Sequence, residues 1–312
     1  VPGGAEKGPD SEEADAPSSD RTLVTEDGTV CRPPLLQVLF DAETVIQGMP
    51  VRVRIRARGR EETGDPWAAI EFRPGSPFVT LLVSFGESPM TGVAAQTWYR
   101  LSLSGYQPGH GPHSVYALHP ASESVEFPLL IGRAALWDAA GGCTIGSHAG
   151  VRITGRSGCI RLRIATYGLE GELARSEPLA IRVERVPPED APALESLEIR
   201  GLLTHVAEGL FQPVPCPEEV RAALAAWLGD FREGCYSDLV RLKLALTEVQ
   251  LGLYPEAAGT LDSMARPSPA FVAVCRAALR TVLAGGTSEE RRRLLSGQLR
   301  DVPELALWKR HL

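Results

Sequence analysis

The chain has 312 residues, 44% of them apolar and 23% charged, which are the values of a globular protein with room for two ordinary cores. Its formal charge of −7 is concentrated in the first 30 residues, where eight acids face only Lys7 and Arg21, so the remainder is nearly neutral. A neutral body argues against nucleic acid as a partner, and no uninterrupted apolar run approaches the ~20 residues that span a bilayer.

Residues 1–34 are mostly Pro, Gly, Ser, Ala and acid, with little to bury, and predict a disordered acidic leader ending at Pro33-Pro34. Such a leader fits an exported chain whose signal peptide has been removed, with or without a lipid anchor upstream. It predicts a periplasmic or envelope-associated location, although a chain cut at an arbitrary point would begin the same way. Six cysteines (Cys31, Cys143, Cys159, Cys216, Cys235 and Cys275) are compatible with export and too sparse for a disulfide scaffold.

From residue 35 the texture changes to short runs rich in Val, Ile, Leu and aromatics, broken by Gly, Pro, Ser and Asp about every ten residues. That spacing predicts an all-β sandwich over 35–186, with strands near 36–40, 51–58, 68–72, 79–85, 97–103, 114–118, 124–129, 151–154, 159–167 and 179–185. The strand at 51–58 alternates Val51, Val53, Ile55 and Ala57 with Arg52, Arg54, Arg56 and Arg58. A one-residue slip there would bury four guanidiniums, so its register is well specified. Gly158 to Val186 is the best-patterned stretch and reads as the closing hairpin of the sandwich, with Ile160, Leu162 and Ile164 alternating with Arg161 and Arg163.

Residues 187–191, beginning Pro187-Pro188, predict a stiff linker, after which the apolar period changes from two to about 3.6. Helices are expected from Pro192 to Leu210, from Pro217, from Asp238 to Leu253 with Ser237 as cap, from Pro255 to Met264, and from Ser268-Pro269 to Gly285-Gly286. A sixth is expected from Ser288 to Arg300, opened by a Thr287/Glu290 capping box. Residues 192–312 therefore read as an all-helical domain of antiparallel pairs.

The segment Gly48-Met49-Pro50-Val51-Arg52-Val53 resembles the Gly-x-Pro-Val-x-Val lead-in of bacterial extracytoplasmic immunoglobulin-like domains. Gly158, Ile160, Leu162 and Arg163, followed by Ser176, Leu179 and Ile181, resemble the end of such a domain, with Met49 and Ile160 where Glu and Tyr are usual. Gly252-x-Tyr254-x-Glu256-Ala257 with Leu261 resembles the inter-helix turn of a tetratricopeptide repeat, though no 34-residue period is present. Together these resemblances imply a multidomain protein, an immunoglobulin-like sandwich followed by a tetratricopeptide-like helical domain. The second implies a groove for a protein or peptide, and Trp227, Tyr236 and Tyr254 are the aromatic candidates to line it.

Candidate chemistry is sparse. His110, His113 and His119 lie within ten residues and, with Glu123, Glu126 or His148, have the composition of a zinc site. They sit in a Gly/Pro loop that does not fix them, and the reading here is no metal and no cofactor. Cys143 has His148 five residues on as a candidate base, without the flanking pattern of a cysteine hydrolase. Cys143 and Cys159 bracket a hairpin-like segment, so a disulfide is expected there in an oxidising compartment. Cys216 and Cys235, flanking the second helix, have the same option. The arginine face of Arg52, Arg54, Arg56 and Arg58, joined by Arg161, Arg163 and Arg182 if those strands are neighbours, offers a surface for an anionic glycan or carboxylates; it also reads as a plain solvated face. The expectation is a non-enzymatic binding or scaffold protein of the bacterial cell envelope. A metal-dependent or cysteine hydrolase using the His110 to His148 region, or a proteinase inhibitor, are the alternatives.

Overall fold

The structure, a computed structural model, describes residues 23–24, 30–31, 35–40, 42, 44–58, 67–71, 79–87, 96–102, 115–118, 124–138, 144–145, 151–168, 171–264 and 269–312. Strands occupy the N-terminal part: β1 (Leu23–Val24), β2 (Val30–Cys31), β3 (Leu35–Phe40), β4 (Thr44–Ile46), β5 (Val51–Arg58), β6 (Trp67–Glu71), β7 (Val79–Phe85) and β8 (Tyr99–Ser102). They continue with β9 (Val115–Leu118), β10 (Ser124–Ile131), β11 (Arg133–Asp138), β12 (Thr144–Ile145), β13 (Val151–Arg152), β14 (Gly158–Gly168), β15 (Gly171–Arg175) and β16 (Leu179–Glu184). Helices follow: α1 (Ala191–Ile199), α2 (Pro217–Asp230), α3 (Ser237–Gln250), α4 (Tyr254–Asp262), α5 (Ala270–Leu283) and α6 (Ser288–Gln298). A π-helical turn, Thr204–Glu208, lies between α1 and α2, and a 3₁₀ helix, Pro303–His311, ends the chain.

The alternation that identifies β5 and β14 in the sequence also decides what they bury. Val51, Val53 and Ile55 on β5, and Ile160, Leu162 and Ile164 on β14, are all buried in one hydrophobic cluster. β5 is the central strand of a three-stranded antiparallel sheet in the order β10-β5-β3. β14 belongs to a nine-stranded sheet whose main path runs β12-β11-β8-β7-β14-β16-β4, with β13 on β11 and β15 on β14.

The expected immunoglobulin-like sandwich followed by an all-α, tetratricopeptide-like domain is corrected here to a mixed α/β architecture. β4 runs parallel to β16, pairing Thr44, Val45 and Ile46 with Arg182, Val183 and Glu184, so the larger sheet is mixed rather than antiparallel. The same hydrophobic cluster that holds the strands also includes Leu197, Val206, Trp227, Tyr236, Leu246 and Trp308, so strands and helices share a continuous core. The apolar helical faces pack mainly on one another, α3 against α2, α4 and α5, and α5 against α6, within the cluster that also takes in the strands.

Several contacts make this junction close. Gly132, between β10 and β11, abuts the backbone of the π-helical turn, and a Cβ there would run into the Ala207 carbonyl. Leu194 of α1 packs on Gly48. Arg152 of β13 bridges to Glu198 at 2.9 Å and to Glu208 at 3.3 Å. The first helix is shorter than the expected span to Leu210. It closes at Ile199 with Leu202 N donating to Leu197 O and Gly201 N to Glu198 O, a paired cap that satisfies the last carbonyls. α6 opens as its capping box predicts: Glu290 N donates to Thr287 Oγ1 at 3.1 Å, and the Glu290 carboxylate accepts from Gly286 N at 2.9 Å.

Candidate functional site

Trp227 and Tyr236 line no groove, because both are fully buried. Trp227 sits against Phe231 with ring centroids 5.0 Å apart, and the Tyr236 hydroxyl donates to Gln47 O at 2.5 Å. Burial pushes the Tyr236 hydroxyl well above the usual phenol range, with smaller contributions from Cys235 and Asp190. Tyr254 is half-buried: its hydroxyl donates to His311 O at 2.9 Å, and the Arg291 guanidinium lies 3.8 Å over its ring. The expected aromatic peptide groove is therefore corrected; these side chains glue the helices to the sheet end and to the C-terminal 3₁₀ helix.

The two arginine rows lie in different sheets, so the expectation that they merge into one surface is also corrected. On β5, Arg52 donates through Nη2 to Asp301 O and lies 3.8 Å from Glu304, which takes it out of any ligand face. Arg54 stands in register with Pro128 and Leu39, and Arg56 with Glu126 and Gln37; Arg58, at the strand end, pairs with Ser124 and Leu35.

The second row is different. On β14 the residues between Ile160, Leu162 and Ile164 share the other face, where Cys159 is half-buried, Arg161 exposed and Arg163 buried, and directly opposite partners in adjacent strands share that face. Cys159 pairs with Arg182, and Arg161 is flanked by Ala180 on β16 and Ser84 on β7. Arg163 is opposite Leu82, which on its other side faces Arg100 of β8. Arg161 and Arg182 are exposed, while Arg163 lies with its guanidinium 4.0 Å over the ring of Trp98. Same-face neighbours stand ~7 Å apart along a strand and ~5 Å apart across strands, so the exposed Arg161 and Arg182 form a diagonal array across β14 and β16, while Arg163, Leu82 and Ser84 of the same face are buried. Glu184 closes its lower end, where Ser157, Gly158, Cys159, Arg182, Val183, Glu184 and Arg185 line an open groove. An array of this kind can hold carboxylates through paired N–H donors.

The disulfide expectations are corrected as well. Cys159, Cys216, Cys235 and Cys275 are free thiols, and Cys143 lies outside the described residues. The Cys159 thiol donates weakly to Ile160 O at 3.7 Å. Burial pushes the Cys235 and Cys275 thiols well above the usual range, aided at Cys235 by Asp190 and at Cys275 by Glu304. His110, His113, His119, Glu123 and His148 also lie outside the described residues, and Glu126 falls on β10. Among the described residues no group of three or more His, Cys, Asp or Glu is arranged to hold a metal ion, and no helix is long and apolar enough to cross a membrane.

Besides Glu248 of α3, which pairs with Arg221 and Thr260, two buried ionisable groups stand outside the sequence-based expectations. Lys243, wholly buried on α3, donates through Nζ to Gly209 O at 2.8 Å, Leu210 O at 3.2 Å and Gln212 O at 2.7 Å. Burial pushes this ammonium down to about 7, and burial together with Lys243 lowers His205 of the π-helical turn. Glu304 is the other, buried in the C-terminal 3₁₀ helix. The signal for Lys243 was its place in the apolar run Leu239, Val240, Leu242, Leu244, Ala245, Leu246, where a lysine breaks the stripe.

No family model and no curated protein matches the chain. Among solved structures it is similar to Spo0M, a sporulation control protein from Bacillus subtilis, at 12% identity and a TM-score of 0.25, over 54% of this chain and 56% of that one. The chain thus spans a little over half of that protein's length, and a likeness at this level carries no argument about function.

Proposed function

We propose that the chain is a non-enzymatic binding or scaffold protein of the bacterial cell envelope, holding an anionic glycan on the arginine face of its larger sheet. The observation that supports this reading is the placement of exposed Arg161 and Arg182 on the adjacent strands β14 and β16. Two exposed cations at strand spacing on adjacent strands suit an extended polymer bearing carboxylates better than a small enclosed ligand. The shared core gives a bound polymer a rigid body to act on.

The test is binding of polygalacturonate, with neutral dextran as control, to the wild type and to Arg161→Glu/Arg182→Glu. Both side chains are exposed, so the double variant keeps its core.

A further inference from the structure

We propose that Arg52 and Glu304 form a proton-sensitive clasp that ties the C-terminal 3₁₀ helix to the smaller sheet, tighter in acid than at neutral pH. The 3₁₀ helix is a strap across the junction. Val302, Leu305, Trp308 and Leu312 are buried beneath it, Trp308 Nε1 donates to Phe211 O at 2.8 Å, and His311 O accepts from Tyr254 at 2.9 Å.

The clasp is poorly made as a salt bridge. Arg52 Nε lies 3.8 Å from Glu304 Oε1, too far for a hydrogen bond, while Arg52 Nη2 donates instead to Asp301 O. Neither oxygen of the buried Glu304 carboxylate has a hydrogen-bond partner, and nor has Arg52 Nε. An ionised carboxylate in that position keeps its desolvation cost without the directed bonds that normally offset it. Arg52 from β5 is the charge that acts on it, and Glu304 in turn pushes up the Cys275 thiol of α5. The helices α3 and α6 also pack against the strap, but no charge they carry among the described residues acts on Glu304.

Burial pushes the Glu304 carboxyl above its ordinary 4.5, opposed by the nearby Arg52 guanidinium. A group raised in the docked state binds its proton more tightly there than when the strap is open. The stability it lends to docking is present in full below 4.5 and is lost as pH rises through the raised value. Protonation leaves the Arg52 bond to Asp301 O in place, so the guanidinium is not abandoned when Glu304 becomes neutral.

Hydrogen exchange of the full chain tests this, read as protection factors for residues 302–312 across mildly acidic to mildly alkaline pH and corrected for intrinsic exchange. Protection of the strap is expected to fall severalfold as pH rises while α2 holds steady. Glu304→Gln is expected to flatten the profile near the acid level. Arg52→Gln removes the opposing charge, so the fall should move to higher pH. A flat wild-type profile, a Glu304→Gln profile parallel to the wild type, or an unmoved fall in Arg52→Gln would each overturn the clasp.

Discussion

The hydroxyl of Tyr236, at the start of α3, donates to the carbonyl of Gln47, in the turn between β4 and β5, at 2.5 Å. The two residues are 189 positions apart, and the bond joins the helical layer to the turn that follows β4, the strand that runs parallel to β16. Tyr236→Phe keeps the ring and removes only the donor, leaving a buried carbonyl unsatisfied. The expected loss is ~1–3 kcal/mol of unfolding free energy, measured by urea denaturation. No loss would mean that the junction is held by apolar packing alone.

Gly132 makes a second prediction about the same junction. A methyl group there meets the Ala207 carbonyl, a backbone atom that cannot swing away, so Gly132→Ala is expected to cost ~1–3 kcal/mol by overpacking. Gly259, exposed within α4 with open space around it, is the control: Gly259→Ala should gain ~0.5–1 kcal/mol from helix propensity. Thermal or chemical unfolding of the two variants should move in opposite directions.

Lys243 makes stability depend on pH. Its ammonium falls from 10.5 in the unfolded chain to about 7 when buried, so between those values the unfolded state holds the extra proton. Stability therefore rises with pH from about 7 upward, and this contribution is lost as pH falls through about 7. The window to measure is pH 7 to 9, because above the ordinary 9.0 of Cys235 and Cys275 their raised thiols act in the opposite sense. Lys243→Met should flatten that slope, and should cost ~1–3 kcal/mol by stranding the carbonyls of Gly209, Leu210 and Gln212.

The parts of the fold legible in the sequence were those coded locally. A strand stands at every place where period-two runs put one, from 36–40 to 179–185, because alternation at β5 and β14 needs no knowledge of the partner strand. β1, β2, β4, β11, β12 and β15 are not among the expected strands, and β1 and β2 pair within the stretch expected to be disordered; Arg133–Asp138 and Gly171–Arg175 carry little alternation and owe their form to pairing with β8 and β14. The parallel β4–β16 pair was invisible for the same reason: it joins Val45 to Val183, and nothing local announces it. Trp227 and Tyr236 were read as lining a groove because an amphipathic helix shows that it has an apolar face, not what covers it. Of the candidate site, the alternation of arginines on β14 was plain, but their alignment with Arg182 and Arg100 depends on registers that only the folded sheet sets.

The free thiols should differ sharply in reactivity. Cys216 is exposed, Cys159 half-buried in an open groove, and Cys275 fully buried beside Glu304. Alkylation followed by mass spectrometry should label Cys216 first and Cys159 next, with Cys275 protected until the protein unfolds. Recovery of a peptide joining Cys143 to Cys159 from non-reduced native protein would contradict this arrangement.

The measurement that bears most directly on function is polygalacturonate binding as a function of salt. Wild type is expected to bind, more weakly as ionic strength rises and screening shortens the reach of each guanidinium, and not to bind neutral dextran. Arg161→Glu/Arg182→Glu should lose the interaction while unfolding at the wild-type urea concentration. Equal binding by the double variant, or no binding by the wild type at low salt, would contradict an anion-holding role for this face.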